Sequence, residues 1–262
     1  MATQQLPRNE IDSLTADPRN GTFSSAQWLL YFQDNKKSRA DIKFTNDISV
    51  PFSMRAPLIR SLQRFQIGET GEGKHLRKYA RMTKDPTYEE CIDLFIKEEQ
   101  YHALVLAQII QSMDGTLLSW HWTDLAFIVL RRMLGLKTEI FILLIAEIIG
   151  KCFYNACANK LDDPRLRDAF ALIVLDEIGH LEFHCDFLRE QMKGYPKGIT
   201  QVCYFFWSIL FLTACFVFMA DHKRALEALT VRPRDFLEDC SRSFRRAAMK
   251  ADMVPYVQTQ LP

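Results

Sequence analysis

Glu99-Gln100-Tyr101-His102 and Glu177-Ile178-Gly179-His180 are two copies of one pattern, Glu-x-x-His, set 78 residues apart. The same offset relates Glu69 to Glu147, and each of these precedes the glutamate of its motif by 30 residues. It also relates Asp85-Pro86 to Asp163-Pro164, and acidic Glu98 to acidic Asp176. A match at so many independent positions marks a duplicated unit. A spacing of three puts Glu99 and His102 on one helical face, and Glu177 and His180 on another. Four carboxylates and two imidazoles in this order are what a four-helix bundle needs to hold two metal ions in its core.

The surroundings of these residues favour ligands over solvated charges. One motif sits in the run from Phe95-Ile96 to Leu104, the other in Leu172 to Leu181. Glu147 lies inside Phe141-Ile142-Leu143-Leu144-Ile145-Ala146-Glu147-Ile148-Ile149. Buried carboxylates without cations are prohibitively costly, and two divalent ions neutralise four of them. Mixed carboxylate and imidazole donors suit iron or manganese better than a closed structural zinc site.

The rest of the chain reads as helix. The first bundle helix is expected from about Leu58 to Met82, with Leu62, Phe65, Leu76 and Tyr79 on or near the Glu69 face. Asp85-Pro86 and Asp163-Pro164 are start signals, since Asp caps a helix and Pro is tolerated at its first position. The second helix ends near Met113-Asp114-Gly115, the third spans Trp120 to about Leu161, and Gly194-Tyr195-Pro196 breaks the fourth after about Met192. A short helix is expected over Ser24 to Asn35, packing through Trp28, Leu29, Tyr31 and Phe32, before a loop with Pro51 and Pro57. The expected class is all-α and one domain. An arm and short helix occupy residues 1–57, the bundle 58–192, and an apolar plus an amphipathic helix packed on it 193–262.

Composition narrows the function classes. The chain has 262 residues, 48% of them hydrophobic, and so can bury a large core. A formal charge of +1 gives no electrostatic reason to expect a nucleic-acid partner. The seven cysteines are odd in number and form no Cys-x-x-Cys pair, which suits free thiols in a reducing, cytoplasmic compartment. Met1 to Asn20 is polar and contains acids, unlike a secretory signal or a transit peptide. Val202–Ala220 has no charge and about the length of a bilayer span. Burial in the protein and membrane contact are both open for it. Basic Lys223, Arg224, Arg232, Arg234, Arg242, Arg245 and Arg246 follow it and would suit an anionic membrane face.

With these residues in place, 58–192 resembles the ferritin-like di-iron carboxylate superfamily. The resemblance implies a ferritin-like four-helix bundle with added N- and C-terminal helices. Glu69, Glu99, His102, Glu147, Glu177 and His180 would be metal ligands. Glu98 and Asp176 would accept the second ring N–H of a ligand histidine across the bundle. Two iron ions are the implied cofactor, with manganese also suited. The implied partners are dioxygen, a small apolar or carrier-bound metabolite and an external electron-donor protein, and a homodimer is an open assembly. An oxygenase or oxidase is the leading expectation. Hydroxylation, desaturation, N-oxygenation, C–C cleavage and halogenation stay unresolved. Iron storage and manganese catalase are the alternatives.

Four features lie outside the six ligands. Glu72 shares the face of Glu69 but has Gly150 as its repeat mate, so Glu69 is the favoured ligand and Glu72 a candidate catalytic acid. His184, with repeat mate Leu106, is a seventh ligand, a proton donor or a packed core histidine. Tyr101 and Tyr154 are read as packing residues rather than radical carriers. Gly68, Gly71 and Gly73 would admit a substrate channel, a bulge or close helix packing.

Overall fold

A computed structural model describes residues 22–39, 44, 48–71, 73–119 and 136–255. Among the described residues all regular structure is helical. In chain order the helices are α1 (Ser25–Ser38), α2 (Phe52–Glu69), α3 (Lys74–Met82), α4 (Pro86–Ser112), α5 (Leu136–Lys160), α6 (Pro164–Met192), α7 (Lys197–Asp221), α8 (Lys223–Ala228) and α9 (Pro233–Lys250). Two hairpins, α2 with α4 and α5 with α6, form the bundle.

The duplicated start signals work as local chemistry requires. Asp85 accepts from Thr87 N at 3.0 Å and Tyr88 N at 3.1 Å. Asp163 accepts from Arg165 N at 2.9 Å and Leu166 N at 3.3 Å. In each case Pro occupies the first helical turn, where its missing N–H removes nothing. Both carboxylates also tie down the N-terminal region, Asp85 through Ser25 Oγ (2.6 Å) and Asp163 through Ser49 N (2.8 Å).

Two expected elements differ. The first bundle helix begins at Phe52 and carries Pro57 inside, at the loss of one backbone bond. It then ends at Glu69, and α3 resumes after Gly73. Gly73 has φ +61°, and a Cβ there would lie 2.2 Å from Ile96 Cδ1, so both conformation and space demand glycine. The break leaves Glu69 on the last residue of α2. The amphipathic stretch after Asp221 is likewise two helices, parted at Thr230 (φ 55°) and Pro233. Residues 120–135, expected to open the third helix, lie outside the described residues.

The helix at 25–38 is more than an appendage. A capping box joins Ser24 and Gln27 at its start. Trp28 and Phe32 are buried, each edge-on to Phe183 of α6. Helices α5 and α7 are each long and apolar enough to cross a membrane by length and composition alone. α5 is a core helix. α7 is not apolar burial all round, because it buries Trp207, Phe211, Cys215 and Phe218 while Phe205, Phe206 and Phe216 stay about 60% exposed.

Candidate metal centre

The two hairpins face each other so that α4 and α6 each present a Glu and a His to the bundle axis. His102 Nε2 lies 3.0 Å from Asp176 Oδ2, and His180 Nε2 lies 3.0 Å from Glu98 Oε2. A carboxylate only accepts, so each ring donates its Nε2–H outward. Each acid belongs to the opposite hairpin, which preserves the pseudo-two-fold relation seen in the sequence. Each ring therefore turns its Nδ1 inward.

At the centre those nitrogens meet carboxylate oxygens. His180 Nδ1 is 3.1 Å from Glu99 Oε1 and 3.6 Å from Glu147 Oε2, and His102 Nδ1 is 3.6 Å from Glu177 Oε1. Neither Nδ1, nor Glu99 Oε1, nor Glu177 Oε2 makes a hydrogen bond. Acceptors crowded on acceptors in a buried site require a shared proton or a cation. Among the described residues, Glu69, Glu99 and His102 form one group whose donor atoms lie within 4.8 Å of one another, and Glu99, Glu147, Glu177 and His180 form a second. Glu99 belongs to both. The donor set fits a pair of metal ions.

Residues without a repeat signal complete the site. Arg39, just beyond α1, places Nη2 at 2.7 Å from Glu98 Oε1 and 3.1 Å from Asp176 Oδ2, with its guanidinium 4.6 Å over the Tyr101 ring. One cation thus holds both outer carboxylates. Gly179 is the repeat mate of Tyr101, and a Cβ on it would meet the Tyr31 hydroxyl at 2.0 Å. Its bare backbone makes room for Tyr31 of α1 to seal the histidine side. Tyr154 Oη donates to Glu69 Oε1 at 2.7 Å.

The other candidates fall elsewhere. His184 belongs to neither donor group, and its buried ring packs edge-on to Phe95 at 4.8 Å and against Phe183 at 5.0 Å. Glu72 lies outside the described residues. All seven cysteines are free, and all but Cys203 are buried.

No family model, curated protein or solved structure matches this chain.

Opposite the histidines, a cavity of about 300 Å³ reaches Glu69, Glu99, Glu147 and Glu177. Its walls include Phe65, Ile142, Ile149, Leu210, Val217 and Phe218, and it also meets Arg64, Asp221 and His222. Gly68 lines it, and a Cβ there would have no atom within 4 Å, so this glycine keeps the passage wide.

Without a cation the cluster stores protons. Burial first, then the neighbouring carboxylates, push Glu69 and Glu177 well above the usual carboxylate range, and Glu99 is raised for the same reasons. Burial opposes a charged His180, but the surrounding carboxylates Glu147, Glu98 and Glu99 outweigh it and raise the ring well above the usual imidazole range. Burial would raise Glu147, yet the adjoining Glu177 carboxyl and His180 ring pull it to about 2.

The sign of the pH dependence follows. Raised carboxylates and a raised imidazole bind more protons folded than unfolded, so stability falls as pH rises through the interval above their ordinary values, 4.5 and 6.5. Glu147 acts only below 4.5. Chelator-treated protein is expected to melt at a higher temperature at about pH 5 than at about pH 8. Saturation with ferrous ion should shrink or invert that difference, because metal displaces the stored protons. Calorimetry across pH, with and without metal, checks it.

Proposed function

We propose that the protein is a di-metal carboxylate oxidoreductase that uses dioxygen to oxidise a small apolar substrate. The observation that carries the reading is the sharing of Glu99 by two donor groups at the end of an apolar cavity. Iron is the favoured metal and manganese the alternative, since both accept mixed oxygen and imidazole donors. When bound, a redox-active pair supplies the dioxygen chemistry, with electrons from an external donor protein.

The chain's own residues do the rest. Glu98 and Asp176 keep each ligand ring in the tautomer that offers Nδ1 inward, and Arg39 holds those two acids. Glu69 accepts the Tyr154 hydroxyl proton in its hydrogen bond, so a proton is held beside the cavity floor. Ile142, Ile149 and Phe65 exclude water from the reacting end.

α7 supports a position at a lipid surface. Its outward apolar face is flanked by exposed Lys193 and Lys197 at one end and Lys223 and Arg224 at the other, matching an anionic bilayer. Leu210 and Val217 belong both to that face and to the cavity wall.

Aerobic titration with ferrous ion tests the proposal. About two irons should bind per chain, with dioxygen consumption in the presence of reductant and an apolar substrate. Accumulation of many irons in a large assembly would favour storage instead.

A further inference from the structure

A second pocket, of about 270 Å³, adjoins the cavity and shares Arg64, Asp221 and His222 with it. Arg60, Lys223 and Arg224 also line it. Four cationic side chains against one carboxylate, with His222 counted neutral, leave an excess of three positive charges. The shared residues are internally matched. Arg64 Nε lies 3.2 Å from Asp221 Oδ2, its Nη1 donates to the Asp221 carbonyl at 3.1 Å, and His222 Nδ1 is hydrogen-bonded with Ser61 Oγ. The His222 ring stacks on Phe218 of the cavity wall at 4.0 Å. The unmatched charge therefore sits outside this throat. Among the described residues Arg60 and Arg224 have no carboxylate partner, and Lys223 has Glu227 at 3.8 Å.

We propose that this pocket binds the anionic head of an amphipathic substrate whose apolar tail fills the cavity to the carboxylates. The inference deepens the oxidoreductase reading and rests on it for the tail's fate. α2 runs alongside both compartments, and the nine steps from Arg60 to Glu69 span about 14 Å along its axis. A phosphate or carboxylate head at Arg60 would set how far along the chain the reacting carbon falls. The C-terminal end of α7 points partial negative charge at the pocket, and Arg60 and Arg224, the two cations there without a carboxylate among the described residues, outweigh that half-charge.

The full chain, loaded anaerobically with ferrous ion, is titrated calorimetrically with dodecyl phosphate, 1-dodecanol and inorganic phosphate. Dodecyl phosphate should bind about tenfold or more tighter than 1-dodecanol, the worth of one charge-assisted hydrogen bond. The double variant Arg60→Gln/Arg224→Gln should erase that preference and leave dodecanol binding in place. Gly68→Leu, and independently Val217→Trp from α7, should weaken both amphiphiles by narrowing the cavity. Sedimentation with phosphatidylglycerol and phosphatidylcholine vesicles separates the sources. Loss of phosphatidylglycerol binding in the double variant assigns the head to a bilayer lipid, while unchanged vesicle binding assigns it to a free amphiphile. Equal affinity for dodecyl phosphate and dodecanol overturns the proposal, as does a preference that survives the double variant. Inorganic phosphate binding as tightly as dodecyl phosphate also overturns it. Metal content is measured on the same samples. Two metals without a head preference would sink only the head site, and a head preference without metals would sink only the metal reading.

Discussion

Glu99→Ala is expected to empty both proposed metal positions at once. Every other candidate ligand belongs to a single donor group, whereas Glu99 belongs to both. Its Oε1 faces His180 Nδ1 at 3.1 Å and His102 Nδ1 at 3.7 Å, so one oxygen lies between the two imidazoles. Removing it leaves Glu69 and His102 as the only members of the first group, and takes a carboxylate from the second. Metal analysis after reconstitution should fall from about two ions per chain to near none. Dioxygen consumption with reductant should fall to the level of buffer. Glu69→Ala is the informative contrast, since it should cost one position and spare the other. The fold itself should survive, because Glu99 is among the charges that raise Glu69, and deleting it relieves the metal-free protein. If Glu99→Ala and Glu69→Ala lose the same amount of metal, Glu99 is not shared.

Arg39→Ala has the second-largest expected effect, and it touches no metal donor. Among the described residues, the guanidinium is the one Lys or Arg cation within ion-pair distance of both Glu98 and Asp176, and all three side chains are less than one-fifth exposed. Burial alone would raise Asp176, and the His102 ring, then Arg39 among other charges, hold it below the usual carboxylate range. Without Arg39 two nearly buried acids face each other with only their histidines for compensation. Breaking a buried ion pair by removing one partner costs about 3–5 kcal/mol, and the partial exposure here points to the lower end, ~3 kcal/mol. Each histidine would also lose the orientation of its outer acceptor, which weakens metal binding about 10–100-fold. Denaturant unfolding and competitive metal titration measure the two effects separately. Lys37→Ala serves as a control. Its pair with Asp34 is about three-quarters exposed on both sides, and its loss should move stability by less than about 0.5 kcal/mol.

The duplicated pattern made the buried Glu/His cluster legible because residue type, helical spacing and register repeat together. The caps Asp85 and Asp163 were equally readable, since capping is local chemistry. The break between α2 and α3 was not. Three glycines signalled something near Glu69, but the need for glycine at 73 comes from its left-handed φ together with Ile96, on another helix. Arg39 gave no signal because it is a single residue outside any periodic segment, and its two partners are far along the chain. The role of Gly179 could have been suspected from its repeat mate Tyr101, where a bulky ring in one copy stands against a bare backbone in the other. α7 was opaque for a different reason. A stretch apolar on every side carries no periodicity that marks which face meets the bundle and which stays exposed.

The most direct test of the centre is a crystal structure of the ferrous-loaded protein with anomalous data collected at the iron edge. Two peaks should appear, one enclosed by Glu69, Glu99 and His102 and the other by Glu99, Glu147, Glu177 and His180. No anomalous density between α2, α4, α5 and α6, or iron bound only at the protein surface, would contradict the account.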